Sequence, residues 1–174
     1  MTGVQTCALP ILARHLYAQV LEEVGEHQAS VREMLVVRRL DEASDASEGF
    51  ELKPVERTII ATAEKVVSEL PGRFKSLLAG VPILVEERPS EELVRDGFDP
   101  RSLGVFSGPN QEERALPGPV PTPTHIVLYA ANLAAFADPS DAEELEHEVE
   151  VTLLHEIGDY FGLDENGLEA LGLG

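Results

Sequence analysis

The chain has 174 residues, which is enough for one domain with a hydrophobic core and leaves little room for two. Its 32 acidic and 13 basic residues give a formal net charge of −19, which disfavours nucleic acids and anionic membranes as partners because their phosphates would be repelled. Cys7 is the single cysteine and the chain lacks any long apolar run. We therefore predict no disulfide framework, no transmembrane helix and a cytoplasmic location.

The first residues of the chain, 1–11, carry no signal for a folded element. They lack the basic and apolar regions of a signal peptide. The string resembles translated sequencing-adapter read-through, a contaminant of predicted proteins. We therefore predict that residues 1–11 are a non-native terminus and not part of the fold.

Residues 12–49 are predicted to be a helical extension that ends in a linker. Apolar residues recur every three or four positions from Leu12 to Leu40, which predicts helix, and Gly25 predicts a break near its middle. The stretch Asp41–Gly49 is acidic and rich in small residues, which predicts a linker. We place the domain boundary there, so that the main domain spans residues 50–174.

The main domain alternates predicted helices with three short predicted strands. Helices are predicted at Pro54–Leu70, around Phe74–Leu78, at Ser90–Val94, at Asn132–Phe136 and from Ser140 to about Phe161. Ser90 and Ser140 are the predicted N-caps of two of these helices. Strands are predicted at Pro82–Glu87, Leu103–Ser107 and His125–Tyr129, and a proline-rich loop at Asn110–Thr124. This order predicts an α+β fold with a small mixed sheet.

The last predicted helix carries the residues best suited to chemistry. Because positions i and i+4 share one helix face, His155 and Asp159 can point at the same metal ion. Glu156 lies beside them and can reach a water on that ion, as the general base of a metal-assisted hydrolase does. Gly162 allows a sharp turn, after which Glu165 can return as a third ligand.

This segment resembles the minimal zincin-like metallopeptidases of bacteria, whose motif is His-Glu-x-x-His-x-x-Gly-x-x-Asp. His155, Glu156 and Gly162 match the motif position by position, and Glu165 matches its final carboxylate chemically. The resemblance covers roughly Phe50 to Gly174, judged by pattern and by the order of elements.

The resemblance implies a minimal zincin-like fold and a peptide or protein substrate. It implies Zn²⁺ bound by His155, Asp159 and Glu165, with Glu156 as the general base. It also implies that an extended peptide lies along a strand edge, and we predict Ile126–Tyr129 as that edge.

Asp159 departs from the motif, because the family has a histidine at this position. An aspartate oxygen can bind zinc, but its side chain is shorter than that of histidine. The ligands His155, Asp159 and Glu165 would leave the site near neutral, whereas two imidazoles and one carboxylate leave a net positive charge. The additional negative charge weakens Lewis acidity, and the oxygen-rich ligand set favours Mn²⁺ or Mg²⁺ relative to zinc.

The sequence leaves two alternative interpretations open. His155 and Asp159 could form a local hydrogen-bonded pair on a solvated helix face, and the chain could be a catalytically inactive zincin-fold module with a binding or regulatory role.

The other histidines of the main domain fit less well as metal ligands. His147 lies about 12 Å from His155 along the helix axis, so the two cannot share an ion. His125 begins a strand, where a structural role is expected.

Overall fold

The computed structural model of the chain describes residues 10–110, 113, 124–137 and 142–163. Seven helices and a three-stranded mixed sheet lie within these residues and confirm the predicted α+β class. The helices are α1 (Ile11–Glu23), α2 (His27–Glu48), α3 (Leu52–Glu69), α4 (Gly72–Leu78), α5 (Glu91–Arg95), α6 (Ala130–Phe136) and α7 (Ala142–Phe161). The strands are β1 (Ile83–Glu86), β2 (Gly104–Ser107) and β3 (His125–Tyr129). None of the described helices is long and apolar enough to cross a membrane.

The described chain divides into two compact units. The first contains the residues up to Phe50 together with Pro89–Arg101, and the second contains Glu51–Arg88 and the residues from Ser102 onward. The segment Pro89–Arg101 therefore groups with the helical extension, although it lies inside the predicted domain 50–174. The division into separately folding domains stays a prediction.

The first unit is built on a hairpin of α1 and α2. Gly25 adopts a positive φ of 82° between the two helices, so the predicted break in the helix is confirmed. The hydroxyl of Ser30 donates a buried hydrogen bond of 2.8 Å to the carbonyl of Ala18, which holds the two helices together. Val94 of α5 packs against Ala18 and Met34 in the small core of this unit.

The stretch Asp41–Gly49 is helical up to Glu48, so the prediction of irregular structure there is wrong, while its role as a linker between domains stays a prediction. Helix α2 continues to Glu48 and ends at Gly49, whose φ of 78° lies in the left-handed region. A tertiary contact holds the start of this stretch, because Arg101 binds the carboxylate of Asp41 through two hydrogen bonds of 2.7 and 2.8 Å. Local contacts follow, and the Ser44 hydroxyl donates a hydrogen bond of 2.8 Å to Glu48 one turn later.

The segment Pro89–Arg101 is held against the hairpin by polar contacts. Ser90 caps α5 by accepting a hydrogen bond from the Leu93 amide, as predicted for this short helix. The carbonyl of Pro89 accepts a hydrogen bond of 2.7 Å from Arg38. Further along, the His15 imidazole lies 2.8 Å from the Asp99 carboxylate. This segment is thus part of the first unit through side chains that are distant in sequence.

We expect the Asp99→Asn variant to be less stable than the wild type in a pH-dependent way. Burial raises the pKa of Asp99, but hydrogen bonds from His15 and the Arg101 amide outweigh it, so the pKa lies below its ordinary value. The stabilisation is therefore present above about pH 4 and is lost as the pH falls through the folded-state pKa. The variant should lose roughly 1 kcal/mol at pH 7.

Urea unfolding of both proteins at pH 7, 5 and 3.5 measures this difference. Asp96→Asn is the matched control, because Asp96 is exposed in the same segment and should change nothing at any pH. A stability difference for Asp99→Asn that persists unchanged at pH 3.5 would show that the ionised Asp99 carboxylate is not the source of the stabilisation.

The second unit packs helices on one face of the sheet. The strand order is β1-β3-β2, with β1 parallel and β2 antiparallel to β3. The buried core joins α3, α4, β3, α6 and α7, and its fully buried members are Ile59, Ile126, Leu128, Ala130, Leu133, Val149, Leu153 and Ile157. These helical residues recur every three or four positions, which places one apolar face of each helix against the sheet.

Strand β3 is the central strand, so the prediction of Ile126–Tyr129 as the peptide-binding edge is wrong. The amide of Ile126 donates to Pro82 on one side, and the amide of Tyr129 donates to Leu103 on the other. A strand whose backbone groups are paired on both sides cannot accept a further strand. The edges of the described sheet are β1 and β2.

An aromatic cluster fixes the C-terminal end of α7. The Phe161 ring lies 4.9 Å from the ring of Phe74 in an edge-to-face arrangement, and the Tyr160 ring lies 5.7 Å from that of Phe106. The Tyr160 hydroxyl also donates a hydrogen bond of 3.1 Å to the carbonyl of Leu77. Each aromatic pair contributes about 1 kcal/mol beyond its buried area, so this end of the helix is rigidly placed.

Gly162 ends α7 as predicted. Its φ is 69°, and the amides of Gly162 and Leu163 donate to the carbonyls of Asp159 and Gly158. This pair of hydrogen bonds satisfies carbonyls that the last helical turn leaves open. The predicted N-cap Ser140 and most of the predicted loop Asn110–Thr124 lie outside the described residues.

We expect a chain that begins at Phe50 to fold with a single cooperative thermal transition. Its core cluster is drawn entirely from the second unit, so removing the α1–α2 hairpin leaves that cluster intact. The segment Pro89–Arg101 should lose protection from hydrogen exchange, because Val94 would lose Ala18 and Met34. Aggregation or a broad transition would show that the hairpin is needed for folding.

Candidate active site

His155 and Asp159 lie one turn apart on the exposed face of α7. Their side chains are 60% and 53% exposed, and His155 Nε2 lies 4.0 Å from Asp159 Oδ2. Val151, one turn before His155, is exposed on the same face. The predicted i, i+4 pairing is therefore present, and both side chains are accessible from solvent.

Glu156 turns away from that face and is buried against β2, with only 7% of the residue exposed. Its side chain lies against Gly104 of that strand, and the backbone N–H of Phe106 is close to its carboxylate. Burial raises the pKa of Glu156, and the charge of Asp159 adds to this, while the Phe106 amide and His155 act in the opposite direction. The net result is a carboxyl group whose pKa lies above its ordinary value, held at the edge of the sheet.

The direction of the Phe106 amide follows from the pairing of β2 with β3. The amide of Tyr129 donates to the carbonyl of Leu103, so the backbone groups of Leu103 point toward β3. Because this direction alternates along a strand, the groups of Val105 also point toward β3, and those of Gly104 and Phe106 point to the outer edge. Within the described residues no strand pairs with that edge.

Gly104 allows α7 to approach this edge closely. A Cβ atom at Gly104 would lie 2.9 Å from Thr152 Cγ2 and 3.2 Å from both Cγ and Oε1 of Glu156. Any other residue would therefore have to displace the helix or the Glu156 side chain. Neither Gly104 nor Phe106 was predicted from the sequence, and a glycine inside a predicted strand is the one sequence signal that indicates this close approach.

Tyr129 is a further buried titratable group near the site. It is 1% exposed at the end of β3, opposite Glu86 in the strand register. Burial raises its pKa to about 12, and the charges of Glu86 and Glu156 contribute to this increase. The phenol therefore stays protonated at neutral pH, beside a site rich in carboxylates.

The remaining candidate ligands and the other histidines of the main domain are found in different settings. Glu165, the predicted third ligand, and Asp164 lie outside the described residues. Within the described part of the chain, no group of three or more His, Cys, Asp or Glu side chains is arranged to hold an ion. His147 is exposed on α7, as expected for a solvated residue, and His125 is half-buried opposite Ser107 on β2.

The chain matches one known protein family. The sequence model of the zincin-like metallopeptidases matches residues 78–174, which is more than half of the chain. The matched span contains the three strands, α7 and every candidate residue, whereas α1, α2 and α3 precede it. No curated protein matches the chain.

Proposed function

Because this chain belongs to the zincin-like metallopeptidase family, we propose that it hydrolyses peptide bonds with a metal held by His155, Asp159 and Glu165. Glu156 is the general base in this proposal. The metal is Zn²⁺, with Mn²⁺ as the alternative that an oxygen-rich ligand set favours. The substrate is a peptide or protein segment in extended conformation.

One observation carries the proposal: the buried Glu156 side chain lies against Gly104 of the edge strand β2, and its neighbours on α7 include the exposed pair His155 and Asp159. A peptide that pairs with β2 would therefore pass next to the base and the two metal-binding side chains. This edge replaces β3 as the proposed peptide-binding strand. Gly104 and Phe106 offer backbone N–H and C=O groups there for antiparallel or parallel strand addition.

The donor pair fits a shared ion. Two ligands of one tetrahedral zinc ion lie roughly 3.3 Å apart, so small rotations of the two side chains close the 4.0 Å gap between His155 Nε2 and Asp159 Oδ2. An imidazole nitrogen and a carboxylate oxygen are both common zinc donors. Their exposure leaves the face of α7 open to a third protein ligand, for which Glu165 is proposed.

The metal, Glu156 and the backbone of β2 each have a separate role in the proposed reaction. A bound metal would polarise the scissile carbonyl and lower the pKa of the attacking water. Glu156 accepts the proton of that water, and its raised pKa brings it closer to the pKa that suits a base working near neutral pH. The backbone of β2 holds the peptide in register with the Glu156 carboxylate.

A catalytically inactive module is the second candidate, and Asp159 is the observation that favours it. Aspartate at the i+4 position supplies one nitrogen donor fewer than the family motif and lowers the charge of the site. Such a protein would keep the fold and the β2 edge for binding peptides and would hold no stoichiometric metal.

Metal analysis beside a peptide-digestion assay tests the two functions. We expect the purified chain to contain about one equivalent of zinc or manganese and to lose hydrolysis on treatment with EDTA. His155→Ala should lose the metal and the activity, whereas His147→Ala, an exposed histidine on the same helix, should keep both. A folded, metal-free and inactive wild type would support the module instead.

A further inference from the structure

Helix α1 carries an apolar face that is exposed to solvent. Eleven large hydrophobic side chains are exposed in the described part of the chain, and five of them lie in α1 and at its C-cap. These five side chains are between 49% and 66% exposed: Leu12, Leu16, Tyr17, Val20 and Val24. Exposed apolar side chains that are clustered in this way mark a surface that contacts another molecule.

The opposite face of α1 already has its partner in α2. Ala18 on that face is fully buried in the same small cluster as Met34. The buried hydrogen bond from the Ser30 hydroxyl to the Ala18 carbonyl lies there as well. The exposed face is therefore an additional apolar surface of the helix, and a helix that is apolar on both sides is typically buried on both sides.

Four of the five exposed side chains form a row that matches a second copy of itself. The row contains Leu12, Leu16, Val20 and Val24, and residues four apart form a ridge that packs alongside an identical ridge. A two-fold axis at position 18 places the leucines of each copy opposite the valines of the other, so that Leu16 meets Val20. Larger side chains then face smaller ones, which allows the two rows to interdigitate.

The charges at the ends of α1 favour an antiparallel arrangement of two copies. The first turn of the helix has no acidic residue, whereas the last turn has no basic residue and ends in Glu22 and Glu23. The N-terminal end of a helix carries a partial positive charge and the C-terminal end a partial negative charge. Antiparallel packing brings the two glutamates of each copy toward the positive end of the other, whereas parallel packing would bring all four glutamates together.

We propose that the chain forms a two-fold symmetric dimer in which the α1 helices of two copies pack antiparallel through this exposed face. The same surface then serves both copies, which closes the assembly at two. The five side chains of the face are uncharged, so the contact itself buries no charge. The inference is independent of the proposed function, because none of the candidate catalytic or metal-binding residues lies on α1.

Sedimentation equilibrium of the full chain tests the dimer. A salt concentration of about 0.5 M limits the repulsion between two copies of charge −19 to a range of about 4 Å, and a reductant keeps Cys7 from cross-linking the copies. We expect a monomer–dimer equilibrium with a Kd of roughly 1–100 μM, which is typical of a small interface. A chain that stays monomeric up to about 1 mM, or that forms larger open assemblies, would overturn the dimer.

Substitutions at Leu16 test the surface. Leu16→Lys places a charge at the centre of the face and should raise the Kd by about tenfold or more. Leu16→Ala adds no charge and keeps a strong helix former, so its expected rise of about threefold or more reports the lost contact and not a lost helix. Ile60→Lys is the matched control, because Ile60 is exposed on α3, and it should leave the Kd unchanged. An unchanged Kd in both Leu16 variants, or an equal rise in the control, would overturn the assignment of the interface to α1.

A mixture of two variants tests the antiparallel register. Leu16→Lys and Val20→Glu should each dimerise poorly alone, because each homodimer buries two unpaired charges. In the antiparallel pairing, the lysine of one variant lies opposite the glutamate of the other, so the mixture should form a heterodimer with a Kd about tenfold or more below that of either variant. Parallel pairing would bring each position opposite its own counterpart and would not match these charges. A mixture that associates no better than its components would overturn the antiparallel register.

Discussion

The Glu156→Gln variant is expected to lose peptide hydrolysis by a factor of about 10² to 10⁴ while its metal content stays unchanged. The amide is similar in size to the carboxylate, so the local packing against Gly104 of β2 should be preserved. It cannot accept a proton from water, however, because the amide is not basic near neutral pH. The loss should therefore appear in kcat at unchanged metal stoichiometry.

Glu150→Gln is the matched control for this change. Glu150 is exposed on the same helix, so the same loss of one negative charge should leave both hydrolysis and metal content as in the wild type. Elemental analysis and a peptide-digestion assay on the three proteins measure the outcome. Loss of the metal from Glu156→Gln would show that Glu156 is a ligand and that the assignment of roles on α7 is wrong.

The Asp159→His variant is expected to bind zinc about tenfold or more tightly than the wild type, a gain of ~1.4 kcal/mol. The change supplies a nitrogen donor at the i+4 position from His155 and removes one negative charge from the proposed site. Asp159 is 53% exposed, so the larger imidazole can be accommodated without disturbing the core. The higher positive charge should also lower the pKa of the attacking water and raise hydrolysis.

Glu146→His distinguishes this effect from the addition of any histidine to α7. It places an imidazole at an exposed position nine residues before His155 and directly next to His147, and neither is the spacing of a shared helix face. Zinc titrations of the wild type and both variants give the comparison. Equal or weaker affinity in Asp159→His would mean that this position does not face the metal, and the proposed ligand set would then be incorrect.

Local signals in the sequence determined most of the secondary structure. Gly25 separates α1 from α2, Ser90 caps α5 and Gly162 ends α7, each through backbone conformations or hydrogen bonds within a few residues. The i, i+4 pairing of His155 and Asp159 follows in the same way, because helical periodicity alone places them on one face. These features depend on neighbours in the chain, so they can be predicted from it.

The predictions that were wrong depend on partners distant in sequence. The stretch Asp41–Gly49 has a loop-like composition, yet Asp41 is held by Arg101, sixty residues away, and the helix continues. Strand β3 has the strongest apolar pattern of the three strands, which indicates burial but does not say which strands flank it. Strand order is decided by long-range packing, and local periodicity carries no information about it.

The chemical identity of the site came from the sequence, and its arrangement came from the tertiary structure. The motif residues His155, Glu156 and Asp159 lie within little more than one turn of a single helix, so their proximity does not depend on the tertiary fold. The placement of the Glu156 side chain requires α7 to pack against β2 at Gly104, where no Cβ atom keeps the helix away. This packing joins residues about fifty positions apart in the chain, which no local pattern connects.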